Sequence, residues 1–235
     1  MRQPPMPAGR PSGDHDETTS RHSAYRCQSR LRCGSVSDPV VPGPSLILLV
    51  RHGATEWSEN GRHTGRTDVP LTPSGERQAA ELRHVLAGQQ FSLVLCSPLR
   101  RARDTCRLAG YSDVASLSED LLEWDYGIYE GKTTQEIRQE QPDWSIWTTS
   151  VPEGEAIEQV GCRAQRVIQG ASTIHGPVAL FAHAHILRIL TACWLGLPPA
   201  GGRLFVLGTA AISVLGYERD TRVIGRWNVS QEVRT

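Results

Sequence analysis

The chain has 235 residues, of which 39% are hydrophobic, and its 25 basic side chains are balanced by 25 acidic ones. This length suits one sizeable domain, or one domain with an appendage, and the zero formal charge leaves no global field to recruit nucleic acid or anionic lipid. Any anion it takes up must be held locally.

Residues 1 to 44 are rich in Pro, Gly, Ser and Arg and have no apolar periodicity. Such a segment buries too little surface to offset its ordering entropy, so disorder is expected there, with a folded domain over residues 45–235. Its arginines and serines fit a transit peptide, against which Asp14, Asp16 and Glu17 weigh; no apolar h-region of a secretory signal is present. Met1 and Met6 are the only methionines, so a translation start at a valine codon such as Val40 or Val41 would leave this tail out of the protein.

The apolar run "SLILLV" (45–50) fits a strand buried on both faces. Thr72-Pro73 supplies an N-cap and a first-turn proline, after which Ala79, Leu82 and Leu86 recur at helical spacing. "FSLVLC" (91–96) reads as a second buried strand, and residues 97–110 as a helix that ends at Gly110. Pro142 to Glu155 reads as a loop before a helix over 155–172, with Ile157, Val160 and Ala164 inward. "PVALFA" (177–182) is a third strand, and Ile186, Leu190, Cys193, Trp194 and Leu197 mark the stripe of a further helix. Two β-rich runs, "AAISVLGYE" and "RVIGRWN", are expected to close the chain as an antiparallel pair. Strands alternating with helices predict an α/β three-layer sandwich with a mostly parallel central sheet and helices on both faces.

The stretch 178–197 is apolar but carries His183, His185 and Arg188, which argues against a membrane span; a cytoplasmic protein is the expectation. Six cysteines show no CxxC pairing or zinc-like spacing, and Cys96, Cys162 and Cys193 read as reduced, buried residues.

Each of the three buried strands runs into reactive chemistry. The first leads to Arg51-His52, the second to Ser97 and Arg100-Arg101, and the third to His183. In open α/β sheets ligands bind beyond the carboxyl ends of the strands, so these segments are positioned to converge, and the helix that follows His183 adds its own preference for anions. Guanidinium groups bind phosphoryl oxygens as a bidentate fork and keep their charge at any working pH. Two arginines and two histidines about one point make a phosphate cage.

The blocks "LVRHGATEW", "CSPLRRARDT", "LLEWDYGIYEG" and "LFAHAHILR", in that order, resemble the histidine phosphatase superfamily, which includes phosphoglycerate mutases. "EWDYGIYEG", "WSIW" and "FAHAHILR" are most similar to its sedoheptulose-1,7-bisphosphatase-like branch. The resemblance implies a phosphoglycerate mutase-like fold and a metal-independent phosphomonoester hydrolase without cofactor, acting on a small phosphorylated metabolite. It further implies that His52 is the nucleophile, that Arg51, Arg101 and His183 hold the phosphoryl oxygens, and that Glu123 is the general acid. A neutral imidazole suits the first role, with its other ring nitrogen donating to a backbone carbonyl. Ser58, Asn60, Thr64, Gly65, Tyr126 and Ala184 are the implied substrate contacts.

Arg62, Arg66 and Arg203 are candidates for a distal phosphate, Arg100 reads as a solvated helix residue, and His185 either extends the pocket or merely starts the helix. The tryptophans at 124, 144 and 147 are core or cleft wall, and those at 194 and 227 core. His15, His22, His84 and His175 are read as surface or tail. Where the family usually has glycine after its second histidine this chain has Ala184, which would bring strain of about 1–2 kcal/mol if that position needed positive φ.

A mutase and a phosphatase share the phosphohistidine. The segment between acid and second histidine, longer in mutases, spans 60 positions here (183 − 123 = 60), which favours hydrolysis of a sugar phosphate or bisphosphate. Mutase-type transfer and a weakly active phosphate-binding relative are the alternatives. An exposed edge on the closing strand pair leaves room for a homo-oligomer.

Overall fold

In the computed structural model, which describes residues 46–230, six strands form one sheet. They are β1 (Leu46–Arg51), β2 (Leu93–Cys96), β3 (Ala115–Leu117), β4 (Val178–Ala182), β5 (Ile212–Glu218) and β6 (Thr221–Val229), in the order β3-β2-β4-β1-β5-β6. The first four pair in parallel, while β5 and β6 run antiparallel at the other side of β1. The N-terminal tail lies outside the described residues.

Six α-helices accompany the sheet: α1 (Glu56–Glu59), α2 (Pro73–Val85), α3 (Arg100–Leu108), α4 (Thr134–Glu140), α5 (Ile157–Ser172) and α6 (Ala184–Trp194). Side chains of β1 alternate between two cores. Ile47 and Leu49 pack with Val160 and Ala164 of α5 and Ile186 and Leu190 of α6, whereas Leu48 and Val50 pack with Leu82 of α2 and Ala102 of α3. β1 and β4 are therefore apolar on both faces, as the continuous runs in the sequence require, and each such leucine or isoleucine contributes about 1.5–3 kcal/mol by its burial. The α/β three-layer arrangement is the expected one.

Thr72 caps α2 as its sequence predicts, accepting from the Gly75 amide at 3.1 Å. α3 starts three residues later than expected, at Arg100, because Leu99 holds an extended conformation (φ −68°, ψ 137°). Cys162 is exposed, in contrast to the expected burial: it lies two positions from inward Val160, on the opposite side of α5, while Cys96, Cys106 and Cys193 are buried. Leu197 is also no part of the α6 stripe, since the helix ends at Trp194 and Leu197 is 38% exposed beyond it. Trp194 is core, whereas Trp227 is half-buried and ties its Nε1 to the Val206 carbonyl at 2.7 Å. Among the described residues no helix is long and apolar enough to cross a membrane.

Candidate active site

The strand ends converge because the sheet's hydrogen bonding continues past them. The His52 amide donates to the Ala182 carbonyl at 3.0 Å, and the His52 carbonyl accepts from the Ala210 amide at 3.0 Å. Likewise the Ser97 amide donates to the Phe181 carbonyl at 2.9 Å. Reactive side chains thus stand on backbone that is fixed on both sides.

His52 is buried, and its Nδ1 lies 2.7 Å from the Gly53 carbonyl, which assigns the proton to Nδ1 and leaves Nε2 as the nucleophilic lone pair. Burial first, and then the Arg101 and Arg51 charges, hold its pKa well below that of a free imidazole, so the ring is neutral at working pH. Gly53 itself is required by space: a Cβ there would sit 2.3 Å from the Gly75 carbonyl oxygen at the start of α2. Its amide donates to Thr105 Oγ1 at 3.0 Å, tying the nucleophile's loop to α3.

Arg51 donates from Nη1 to the Leu207 carbonyl at 2.6 Å, and its buried Nε has no partner among the described residues. Burial lowers its pKa to about 10, against the raising pull of Glu123, so it stays charged. Arg101 is wholly buried, with Nη1 donating to the Thr67 carbonyl and Nη2 to the Gly65 carbonyl, both at 2.8 Å. Its Nε donates to His183 Nδ1 at 3.1 Å. The carbonyls that receive Arg101 are set in turn by Glu130, whose carboxylate accepts from the Arg66 and Thr67 amides at 2.6 and 2.9 Å.

His183 lies beside His52 but is not among the residues that line the cleft. Its ring is fully buried 5.2 Å from that of His52, Nδ1 accepts from Arg101, and Nε2 donates to Ser97 Oγ at 2.7 Å. Both nitrogens are thereby engaged with protein, and burial, then Arg101, hold the ring neutral.

Glu123 is buried and bonds only backbone amides: Oε1 accepts from Trp124 and Ile186 at 3.0 Å each, and Oε2 from His185 at 3.1 Å. His183, the N-cap residue of α6, gives the helix no side-chain cap, and Glu123 supplies it from outside. The expected anion preference of this helix end is therefore spent on Glu123, except for the first amide, that of Ala184. Oε2, with a single N–H bond, is the oxygen with capacity left for a proton.

A cleft of about 80 Å³ is lined by Arg51, His52, Arg101, Glu123, Ser58, Thr64, Tyr126 and Ala184, together with Arg62, His63 and His185. Asn60 is not among the lining residues, being the exposed C-cap of α1. Gly65 does not line the cleft either: it is buried at φ +53°, where it presents its carbonyl to Arg101. Ser58 lines the wall, but its hydroxyl is occupied with the Thr55 backbone in the cap of α1.

His185 extends the pocket, with Nδ1 2.5 Å from the Tyr126 hydroxyl. Burial raises the Tyr126 pKa and lowers that of His185, so the phenol donates and His185 keeps its proton on Nε2. His63, which the sequence reading overlooked, packs its ring 5.0 Å from Tyr126 and 5.3 Å from Trp144. Of the distal-phosphate candidates, Arg62 reaches the cleft, Arg66 is paired with Glu155 at 3.2 Å, and Arg203 is exposed away from it. Arg100 is solvated and pairs with Asp104 at 3.3 Å.

The model of the histidine phosphatase superfamily (branch 1) matches residues 47–230. The chain belongs to this superfamily. It is 43% identical over 181 residues to an acid phosphatase of Mycobacterium tuberculosis, covering 75% of this chain and 88% of that one. It is 37% identical over 190 residues to the sedoheptulose 1,7-bisphosphatase of Saccharomyces cerevisiae, covering 66% of this chain and 70% of the yeast protein. The solved structure of a Mycobacterium tuberculosis open reading frame matches with a TM-score of 0.73 at 39% identity, over 79% of this chain and 97% of that one.

One departure from the histidine phosphatase pattern brings no backbone strain. Ala184 is the first residue of α6 and is not among the positive-φ residues, so it carries none of the strain expected from replacing glycine. Ala184→Gly should leave kcat/KM within about twofold and cost no more than about 1 kcal/mol of stability, from helix propensity alone. A tenfold gain in activity would show that the alanine obstructs the cleft.

The three cleft histidines and His183 beside them also set an acid limit on the fold of this histidine phosphatase. His52, His183 and His185 are held well below the ordinary imidazole value and His63 at about 4, in each case by burial first. Below about pH 6.5 the unfolded chain binds protons that the folded chain refuses, so stability is greatest above that pH and falls as the pH is lowered through it. Urea midpoints at pH 7.5 and 5.5 test this, because most carboxylates do not titrate in that window. Equal midpoints would contradict it.

Proposed function

We propose that the chain hydrolyses small sugar phosphates or bisphosphates through a phosphohistidine on His52. The observation that carries this reading is the orientation of His52: neutral, locked through Nδ1 on the Gly53 carbonyl, with Nε2 facing a cleft flanked by Arg51 and Arg101. His52 Nε2 attacks phosphorus, and the bond to the ester oxygen breaks as Glu123 gives that oxygen its proton. Arg51, through its unpartnered Nε, and Arg101 hold the equatorial oxygens as charge shifts, with the Ala184 amide beside them. Glu123 then takes a proton from water, which attacks the phosphohistidine and frees inorganic phosphate. His183 aligns Arg101 within the cage.

The name of the yeast relative supports the substrate class, and Arg188, just beyond the residues that line the cleft, supports a second anion. It lies one turn beyond Ala184 on α6, with its guanidinium 4.6 Å over the Trp147 ring and Nε donating to the Gly202 carbonyl at 3.1 Å. It makes no ion pair among the described residues. In steady-state assays on sedoheptulose bisphosphate and a monophosphate ester, Arg188→Met should raise KM for the bisphosphate about tenfold and change that for the monoester by less than about twofold. Equal effects on both would remove Arg188 from the distal site. Interconversion of phosphoglycerates without phosphate release by the wild type would overturn hydrolysis in favour of a mutase.

A further inference from the structure

Glu123 sits on a strap, residues 120–126, that has little regular structure of its own beyond a 3-10 turn over Glu119–Leu121. A side chain on such a segment holds its place only if something else fixes the backbone. Here that something is an ion pair, a buried arginine and a half-buried glutamate, that the proposed chemistry does not use.

Arg163 projects from α5 and is 8% exposed. Its Nε and Nη2 grip both oxygens of Glu155 at 2.8 Å, a bidentate fork. Nη1 donates to the carbonyls of Asp120 and Leu122, both at 2.9 Å, and Nη2 reaches the Glu123 carbonyl at 3.5 Å. Glu155 completes the clamp from the other end. Its carboxylate accepts from the Asp125 amide at 3.2 Å, and its carbonyl accepts from Trp124 Nε1 at 2.8 Å. Its amide donates to the Asp125 carbonyl at 3.0 Å. One ion pair thus holds the carbonyls of Asp120, Leu122 and Glu123, the amide and carbonyl of Asp125, and the indole of Trp124.

The same carboxylate accepts from Arg66 Nη2 at 3.2 Å. Arg66 lies between Gly65 and Thr67, whose carbonyls hold Arg101. Glu155 therefore joins the strap of the acid to the loop of the phosphate cage. Burial would raise the Glu155 carboxyl, but the bond and charge of Arg163, with the Asp125 amide and Arg66, together hold it below the usual carboxylate range.

We propose that Arg163 and Glu155 are positioning residues for proton transfer, holding Glu123 in line with the leaving oxygen and in step with the phosphate cage. This rests on the reading of Glu123 as the general acid. A pair that served only to stabilise the fold would affect all substrates alike. A pair that positions the acid matters most where the leaving group needs a proton.

The test compares kcat/KM for glycerol phosphate, whose alkoxide must be protonated, with that for p-nitrophenyl phosphate, whose phenolate leaves unaided. Glu155→Gln and Arg163→Lys are measured on the full chain, with thermal melts to confirm folding, beside Glu123→Gln as control. Glu155→Gln keeps the shape of the carboxylate, and Arg163→Lys keeps the charge but cannot make the fork and two carbonyl bonds at once. Both should lose about 30-fold or more on the alkyl ester and less than about threefold on the aryl ester, a smaller version of the pattern in Glu123→Gln. If Glu123→Gln lowers both esters equally, the acid assignment itself fails. If Glu123→Gln discriminates and the folded clamp variants do not, the assignment stands and the positioning role is overturned. Should Arg163→Lys fail to fold, the isosteric Glu155→Gln decides alone.

Discussion

His52→Ala folds and releases phosphate from no ester at more than about a thousandth of the wild-type rate. The loss is large because the imidazole is the bond-forming group rather than one donor among several, and the neighbouring imidazoles are committed elsewhere: His183 has both nitrogens engaged, His185 Nδ1 receives the Tyr126 hydroxyl, and His63 Nε2 lies 3.2 Å from Thr134 Oγ1. The fold survives because the His52 backbone, not its side chain, bonds to Ala182 and Ala210. The wild type should also keep its nucleophile unprotonated to well below pH 6.5, since burial, then Arg101 and Arg51, depress His52. kcat/KM measured from pH 8 to 5 should therefore show no acid limb near 6.5 beyond the one set by the substrate's own phosphate, whose second pKa is about 6. A further limb there that stays fixed when substrates of different phosphate pKa are compared would mean that the free enzyme carries a protonated His52.

Arg101→Met should cost both activity and stability, and by more than any other change at an arginine of the site. The side chain is fully buried and serves three acceptors, the carbonyls of Gly65 and Thr67 and Nδ1 of His183. Methionine fills much of the volume but leaves those acceptors unsatisfied, at about 1–3 kcal/mol for each orphaned group that water cannot reach. A net loss of about 2–4 kcal/mol in urea unfolding is expected. kcat/KM should fall by at least about 10³-fold, because the cage loses a charge and the loop over residues 65–67 its anchor. Arg101→Lys should recover stability better than activity, since an ammonium replaces the charge but not the fork that spans two carbonyls and an imidazole. Equal recovery of both would mean that charge alone matters at this position.

Much of the site was legible because strand ends are local features. A buried run that stops at Arg51-His52, at Ser97 or at His183 places each of those residues at one edge of the sheet, and the sheet brings the edges together. Nothing local distinguishes a side chain that faces the cleft from one that props it up. Gly65 belongs to the right loop, yet contributes a carbonyl to Arg101, and Asn60 closes a helical turn. His183 was expected to hold phosphoryl oxygens, and the structure adds that its two ring nitrogens bond Arg101 and Ser97. The concern over Ala184 concerned a backbone angle, which sequence does not reveal.

Some features were present in the sequence but unused. Thr133 and Glu136 spell a capping box, and the structure shows both of its bonds at the start of α4, at 3.1 and 2.7 Å. The exposure of Cys162 follows from counting helical phase from Val160. The Arg163–Glu155 clamp is different in kind. Its bonds reach over 40 positions along the chain to the strap, and a charged pair eight residues apart reads as two surface residues until the fold closes over them.

The central claim is a covalent phosphoryl group on Nε2 of His52. The full chain, in buffer with a chelator, is mixed with labelled sedoheptulose bisphosphate, quenched in alkali within one turnover and mapped by peptide mass. The account predicts an acid-labile phosphate on His52 that appears before free phosphate and decays as phosphate is released. Phosphate release with no label on His52 at any time, or label on another residue, would contradict it.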